Sequence, residues 1–133
     1  MSQENVEIMR SAFESFLAGS RAFGAELLDP EVVWDATELP LDLQGMHRGP
    51  EAVKQFWRDW LAAWETVQFE YELIDAGDRV VALLDQRMRG RSTGIEVPFG
   101  KPAHVYTFRN GLIVHWKGYM SQADALEAAG LSE

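Results

Sequence analysis

Two side chains in this 133-residue sequence have the type and setting to move a proton, Asp35 and His104. Asp35 ends the apolar run Val32-Val33-Trp34. A carboxylate half-buried among rings has its pKa raised and can exchange a proton near neutral pH. The same residue, placed just before Ala36-Thr37, can equally cap a turn. His104 shares strand parity with Tyr106 and Phe108, so it faces whatever they face. An imidazole there can donate a hydrogen bond to a substrate oxygen or take a proton. It can also be a core histidine bonded to a backbone carbonyl or to Asp35. One carboxylate and one imidazole converging on an aromatic cavity would suit isomerisation, cyclisation or dehydration beside a carbonyl.

Other residues read as cavity wall. Trp116, Val114 and Met120 share the strand face of Gly118, which vacates space beside Trp116. Tyr71 shares the parity of Phe69, so its hydroxyl can reach a pocket group. Tyr106 lies on the face of His104. Gln86 and Met88 add one polar and one soft contact. Trp57, Trp60 and Trp64 form a helical stripe that reads as core. Asp85, Arg87, Arg89 and Arg91 share one strand face, which reads as solvated or as a contact between copies, with Asp85 and Arg87 pairing weakly. The three histidines, His47, His104 and His115, have no metal-ligand spacing, and there is no cysteine. No glycine-rich phosphate loop and no nucleophile elbow is present. Neither cofactor nor metal is therefore expected.

The elements that must position these residues follow from a change of hydrophobic period. Val6, Met9, Phe13, Phe16 and Leu17 recur every three or four residues, the spacing of an amphipathic helix over Asn5–Leu17. Ser2 suits its N-cap, Glu4 its first turn, and Gly19-Ser20 its end. A short helix is expected to end near Leu28, before Asp29-Pro30, followed by a strand at Val32–Trp34. Residues 36–48 read as irregular. Gly49-Pro50-Glu51 opens a second long helix carrying Val53, Phe56, Trp57, Trp60, Leu61 and Trp64. After Glu65 the period becomes two. Strands are expected at Val67–Leu73, Arg79–Gly90, up to Phe108, and Leu112–Met120, with turns at 75–78, 91–94 and Asn110-Gly111. Along Arg79–Gly90 the even positions should face inward. Ser121 to Asp124 fits a capping box opening a terminal helix that ends at Gly130. The order predicts one α+β domain over residues 1–133, its N-terminal helices packed on a curved antiparallel sheet that wraps into a cone.

Composition narrows the partners. A net charge of −9 disfavours nucleic acid, because acidic surfaces repel phosphates. No apolar run reaches the length of a membrane span, and Met1 to Asn5 does not open a signal peptide. A cytoplasmic domain is the expectation. Five Trp, seven Phe and three Tyr exceed what a plain core of this size needs, which points to a small apolar or aromatic ligand.

The stretch Leu28-Asp29-Pro30-Glu31-Val32-Val33-Trp34-Asp35, the Gly49-led helix, Gly90-Arg91-Ser92-Thr93-Gly94 and Ala103-His104-Val105-Tyr106-Thr107-Phe108-Arg109-Asn110-Gly111-Leu112-Ile113 carry a family likeness. The chain resembles the nuclear transport factor 2-like superfamily in its SnoaL-like branch, whose relatives include polyketide cyclases, ketosteroid isomerases and limonene epoxide hydrolases. The resemblance spans nearly the whole chain. It implies a cone-shaped α+β barrel that pairs as a homodimer through its outer sheet face. It also implies Asp35 in the place of the isomerase general base, and His104 in the place of that enzyme's protonated Asp. Phe13 matches the isomerase's oxyanion tyrosine but lacks the hydroxyl, so it reads as core or wall. Near Gly118 the cyclases and epoxide hydrolases hold an Asp, which Trp116-Lys117-Gly118-Tyr119 does not supply. Three readings follow: a cofactor-free isomerase or cyclase, a non-catalytic ligand-binding or accessory domain, and a purely structural dimerisation domain, which predicts no cavity.

Overall fold

The switch from a helical to a two-residue period is realised as three helices and a seven-stranded sheet in a computed structural model that describes residues 2–19, 24–39 and 45–131. In chain order these are α1 (Ser2–Leu17), β1 (Leu28–Asp35), β2 (Met46–Arg48), α2 (Pro50–Ala62), β3 (Trp64–Ala76), β4 (Arg79–Gly90), β5 (Glu96–Gly100), β6 (Ala103–Arg109), β7 (Leu112–Tyr119) and α3 (Gln122–Ala128). Among the described residues no helix is long and apolar enough to cross a membrane.

Several local expectations change. Ser2 lies inside α1 rather than before it. The short helix before β1 is a single 3-10 turn, Ala25–Leu27, while Ser20, offered as part of the end of α1, lies outside the described residues. The segment read as irregular contains β2, which pairs with the end of β1, Val33 opposite Arg48 and Asp35 opposite Met46. Residues 40–44 of that segment lie outside the described ones.

The strands run in the order β2-β1-β7-β6-β4-β3, with β5 added beside β4, and the sheet does not close on itself. It is mixed rather than purely antiparallel, because β1 runs parallel to β7 while every other pair is antiparallel. Adjacent antiparallel strands need only a hairpin, but β1 and β7 lie far apart in sequence, and nothing local constrains their direction.

β3 and β4 form the long hairpin, and Val80, Ala82, Leu84, Gln86 and Met88 are buried on one face as their even positions require. α1 and α2 cover that face and close the main core around Met9, Phe13, Trp34, Val53, Trp57 and Tyr106. The opposite face is also covered in part: Val81, Val105 and Tyr119 pack with Ala125 and Ala129 at α3. The Ser121 hydroxyl accepts the Asp124 amide at 3.2 Å and caps α3. At the end of α2, Arg91 donates to the carbonyls of Ala62 (3.2 Å) and Trp64 (3.0 Å). That satisfies carbonyls a helix end leaves open and ties α2 to the start of β3. Arg91, exposed as its strand pattern suggested, thus also has a structural task.

Replacing Ser121 by Ala should cost about 1 kcal/mol of unfolding free energy, the usual value of an N-cap. Urea unfolding of the variant against the parent measures it, and an unchanged midpoint would refute the cap's contribution.

Candidate functional site

The sheet's concave face and the two long helices leave a cavity of about 90 Å³. One water needs roughly 10–15 Å³ on this measure, so the cavity has room for several waters or one small ring. Its wall is built from every element that borders the main core. Phe13 and Phe16 come from α1, Trp34 from β1, and Phe56, Trp57, Trp60 and Leu61 from α2. Val67 and Phe69 come from β3, Leu84 and Gln86 from β4, Phe99 from β5, His104 and Tyr106 from β6, and Trp116 from β7. Leu39, just after β1, completes the wall. Phe13, Trp34, Tyr106 and Trp116 are fully buried and form the floor; Phe16, Trp60, Leu61, Val67 and Phe99 are partly exposed and form the rim.

The floor is organised by one ring pair. Trp34 and Trp116 sit opposite each other in the β1–β7 register and stack with centroids 4.6 Å apart and planes 8° apart. Trp57 meets Trp34 edge-on at 5.3 Å, and His104 meets Trp116 edge-on at 4.9 Å. Phe13 stands edge-on to Phe69, Tyr71 and Tyr106. Among the described residues the Trp34 indole N–H has no hydrogen-bond partner, and the Trp116 N–H lies toward the Tyr106 hydroxyl without the geometry of a full hydrogen bond. The Trp116 indole does act on the nearby Tyr106 hydroxyl: burial raises the phenol's pKa, and Trp116 opposes part of that rise.

Of the residues expected at the site, the structure brings Phe13, His104, Tyr106 and Trp116 to the cavity. It leaves Asp35, Tyr71, Met88, Gly118 and Met120 off its described wall. Alternation along β1 explains Asp35: Trp34 faces in, so its neighbour faces out. Asp35 Oδ1 accepts the Thr37 amide at 3.0 Å and the Thr37 hydroxyl at 2.6 Å, the turn-capping arrangement. Its Oδ2 lies 4.0 Å from Lys117 Nζ, which also pairs with Glu38 at 2.9 Å. Burial alone would raise the Asp35 pKa, but the two Thr37 hydrogen bonds and the positive charge of Lys117 outweigh it. The carboxyl therefore titrates below the ordinary range. A stronger acid of this kind is a poorer proton acceptor, the reverse of a general base raised toward neutrality.

The other four have equally local causes. Tyr71 turns its hydroxyl to the Glu14 carboxylate on α1, and burial with that bond raises its pKa. Met88 is buried beneath Gln86. Met120 is exposed beyond the end of β7. At Gly118 the space is already filled, because an added Cβ would lie 2.5 Å from Trp116 Cη2 and 3.1 Å from Leu39. The glycine makes room for the indole, not for a ligand. Val114 sits at a register shift between β6 and β7, which breaks strict alternation and lets both Ile113 and Trp116 face the core.

Sequence reasoning missed Trp34 and assigned Trp57 and Trp60 to plain core. Trp34 had a usable signal: Val32 and Trp34 share a face that is far more apolar than that of Val33 and Asp35.

His104 Nδ1 lies 3.4 Å from the Tyr106 hydroxyl, and one side of the ring borders the cavity. Burial drives its pKa down to about 3, so the imidazole is uncharged at any physiological pH. A base this weak accepts protons poorly but still offers an N–H or a lone pair for hydrogen bonding. No Asp, Glu, Lys or Arg stands among the described wall residues.

Three helices beside an open mixed sheet, with an aromatic cavity between them, define the α+β cone of the nuclear transport factor 2-like superfamily. The SnoaL-like domain matches residues 9–116, and the chain belongs to that family. The chain is 25% identical to an NTF2-like protein of unknown function from Burkholderia pseudomallei, with a TM-score of 0.75 over 92% of this chain and 95% of the other. It shares the fold of TerC, co-crystallised with polyporic acid, at 19% identity and a TM-score of 0.72, covering 95% and 98% of the two chains. It also shares the fold of a hypothetical protein from Catenulispora acidiphila, described as having a ketosteroid isomerase-like fold and seen in complex with trimethylamine, at 16% identity and a TM-score of 0.71, covering 94% and 93%. No curated protein matches the chain.

Two outcomes follow from this geometry. Gly118→Ala should destabilise the fold by about 1–3 kcal/mol, the range for overpacking, because the Trp116 ring must move. Chemical denaturation measures the loss, and near-ultraviolet circular dichroism should report the altered indole stack. The second concerns pH. The unfolded chain protonates His104 near its ordinary value of 6.5, the folded chain only near 3. Between those values the unfolded state binds more protons, so stability is greatest above pH 6.5 and falls as pH drops. The slope is at most about 1.4 kcal/mol per pH unit. In His104→Gln that component is gone, and the urea midpoint should change less between pH 7 and pH 5 than in the parent. Equal pH dependence in both proteins would show that the imidazole is not held neutral.

Proposed function

We propose that this chain is a small-molecule-binding domain whose cavity takes one uncharged, ring-bearing ligand. The observation that carries this reading is an aromatic cavity whose described wall holds no charged group. Burying an ion there would forfeit its hydration without a counter-charge in return, whereas an apolar ring gains contact with indole and phenyl surface on all sides. Polyporic acid with the fold relative TerC supports a ring-bearing ligand, while trimethylamine with the Catenulispora protein, ringless and cationic near neutral pH, supports only a small-ligand role for the fold.

Acid–base turnover by the pair Asp35 and His104 has less support. Such a pair must meet in one cavity, and Asp35 is turned to Thr37 and Lys117. His104 alone, with a pKa of about 3, is a weak general base. A binding or accessory domain is therefore the reading preferred over an isomerase or cyclase.

Toluene serves as a probe of matching size. At ten times its dissociation constant it should stabilise the protein by about 1.4 kcal/mol, visible as a raised melting temperature. Tryptophan emission should change as well, since Trp34, Trp57, Trp60 and Trp116 all stand on the wall. Asp35→Asn should leave the affinity unchanged. A melting temperature and emission that ignore toluene would sink the binding reading. Loss of affinity in Asp35→Asn would return that carboxylate to the site.

A further inference from the structure

We propose that Gln86 is the specificity-determining residue of the cavity, and that it selects an uncharged ring carrying a hydrogen-bond donor, such as a phenol or an N–H heterocycle. The inference rests on the small-ligand reading above and names the ligand class for the same cavity.

Gln86 is the one buried polar or charged residue among those described, at 5% exposure, and its side chain lines the cavity. Strand alternation puts it there, since it lies on the inward face of β4 with Leu84 and pairs with Phe69 on β3. The orientation of its amide follows from chemistry. The amide nitrogen is 3.5 Å from the Met88 sulfur. A thioether can only accept a hydrogen bond, so the NH₂ half of the amide must face it and the carbonyl half must face away. Among the described residues no donor reaches Gln86 Oε1. The oxygen is thus left open toward the cavity the residue lines rather than sealed in the core, and a carbonyl so placed among apolar walls is a place for a ligand to supply the donor. Met88 therefore contributes by orienting Gln86, not by touching a ligand itself.

The rest of the wall restricts what carries that donor. With no ionised side chain among the described wall residues and an uncharged His104 beside it, a cationic donor such as an ammonium finds no counter-charge. A neutral O–H or N–H on a flat ring satisfies the acceptor and fills the aromatic space together.

Phenol and toluene have nearly the same size and differ in the donor, so the pair isolates the role of the amide. Calorimetric titration of both into the parent protein and Gln86→Leu gives the comparison. Phenol should bind at least about fivefold more weakly to Gln86→Leu, the usual worth of one hydrogen bond, while toluene binds as well or better. In the parent, both rings should shift the Gln86 side-chain amide resonances through their ring currents, and phenol should add a distinct downfield shift from the hydrogen bond that toluene lacks, a readout that holds even if the variant does not fold. Phenol affinity untouched by the substitution, equal weakening of both probes, or amide resonances that phenol shifts no differently from toluene would each overturn the role of Gln86 while leaving the cavity as a binding site. Failure of both probes to bind the parent would overturn the binding reading and this specificity with it.

Discussion

The stack of Trp34 on Trp116 is the contact on which the rest of the site depends. It forms because β1 and β7 run parallel in a register that puts the two residues side by side. It needs the missing Cβ of Gly118, whose place the Trp116 ring occupies. Fixing the two indoles inward fixes the neighbours outward: Asp35 beside Lys117 in the same register, with Glu38 closing the cluster. One pairing choice therefore sets both the apolar floor of the cavity and the polar surface behind it. Offset or parallel aromatic stacking adds roughly 0.5–1.5 kcal/mol beyond the burial of the rings, and the unpartnered Trp34 indole N–H costs an amount of similar or greater size. The pair is better understood as a device for shape than as a source of net stability.

The same separation governs the electrostatics. Most ion pairs among the described residues, such as Arg79 with Asp78, lie on outer surfaces where water screens them, and the half-buried Asp35–Lys117 pair lies on the far side of the sheet from the cavity. On the described cavity wall the His104 imidazole is kept neutral by burial and the buried Gln86 amide carries no charge. The acidic balance of −9 is thus a property of the surface, relevant to solubility and to repulsion of polyanions, and it does not reach the cavity.

What the sequence made legible was what its periodicity encodes. The first long helix, the inward even face of β4 and the tight turn at Asn110-Gly111 appear where the pattern placed them; the second long helix does too, except that Trp64, read as the last residue of its stripe, opens β3. Asn110 and Gly111 both adopt the positive φ such a turn demands. The parallel partnership of β1 and β7 was not legible, because it joins segments some eighty residues apart and leaves no local mark. Neither was the register shift at Val114, which breaks the alternation used to place Trp116 with Val114 and Met120. The parity of Asp35 was legible in principle. Placing the carboxylate inward necessarily turned Trp34 outward, and the burial of an indole is worth far more than that of a carboxylate. The attraction of a candidate base outweighed that comparison, and the turn-capping alternative at Thr37 is the one the structure adopts.

Core and site are made of the same residues. Trp57 closes the main core and also stands on the cavity wall, and Phe13 does both at the other helix. A pocket of this kind needs no dedicated loop. It arises where an open sheet curves more than two helices can fill, and large rings span the gap that smaller side chains would leave collapsed. Such a wall accepts many apolar shapes with little discrimination, since contact between hydrocarbon surfaces is non-directional. Discrimination has to come from the few polar atoms embedded in it. Among the described wall residues these include, beside the indole N–H groups, the amide of Gln86, the imidazole of His104 and the hydroxyl of Tyr106, carried on neighbouring strands β4 and β6. The strands that hold them are the rigid part of the fold, paired residue by residue from Arg79 opposite Thr107 to Leu83 opposite Ala103. Recognition is therefore placed on the scaffold itself, and the aromatic rim of α1, α2 and β5 supplies the way in.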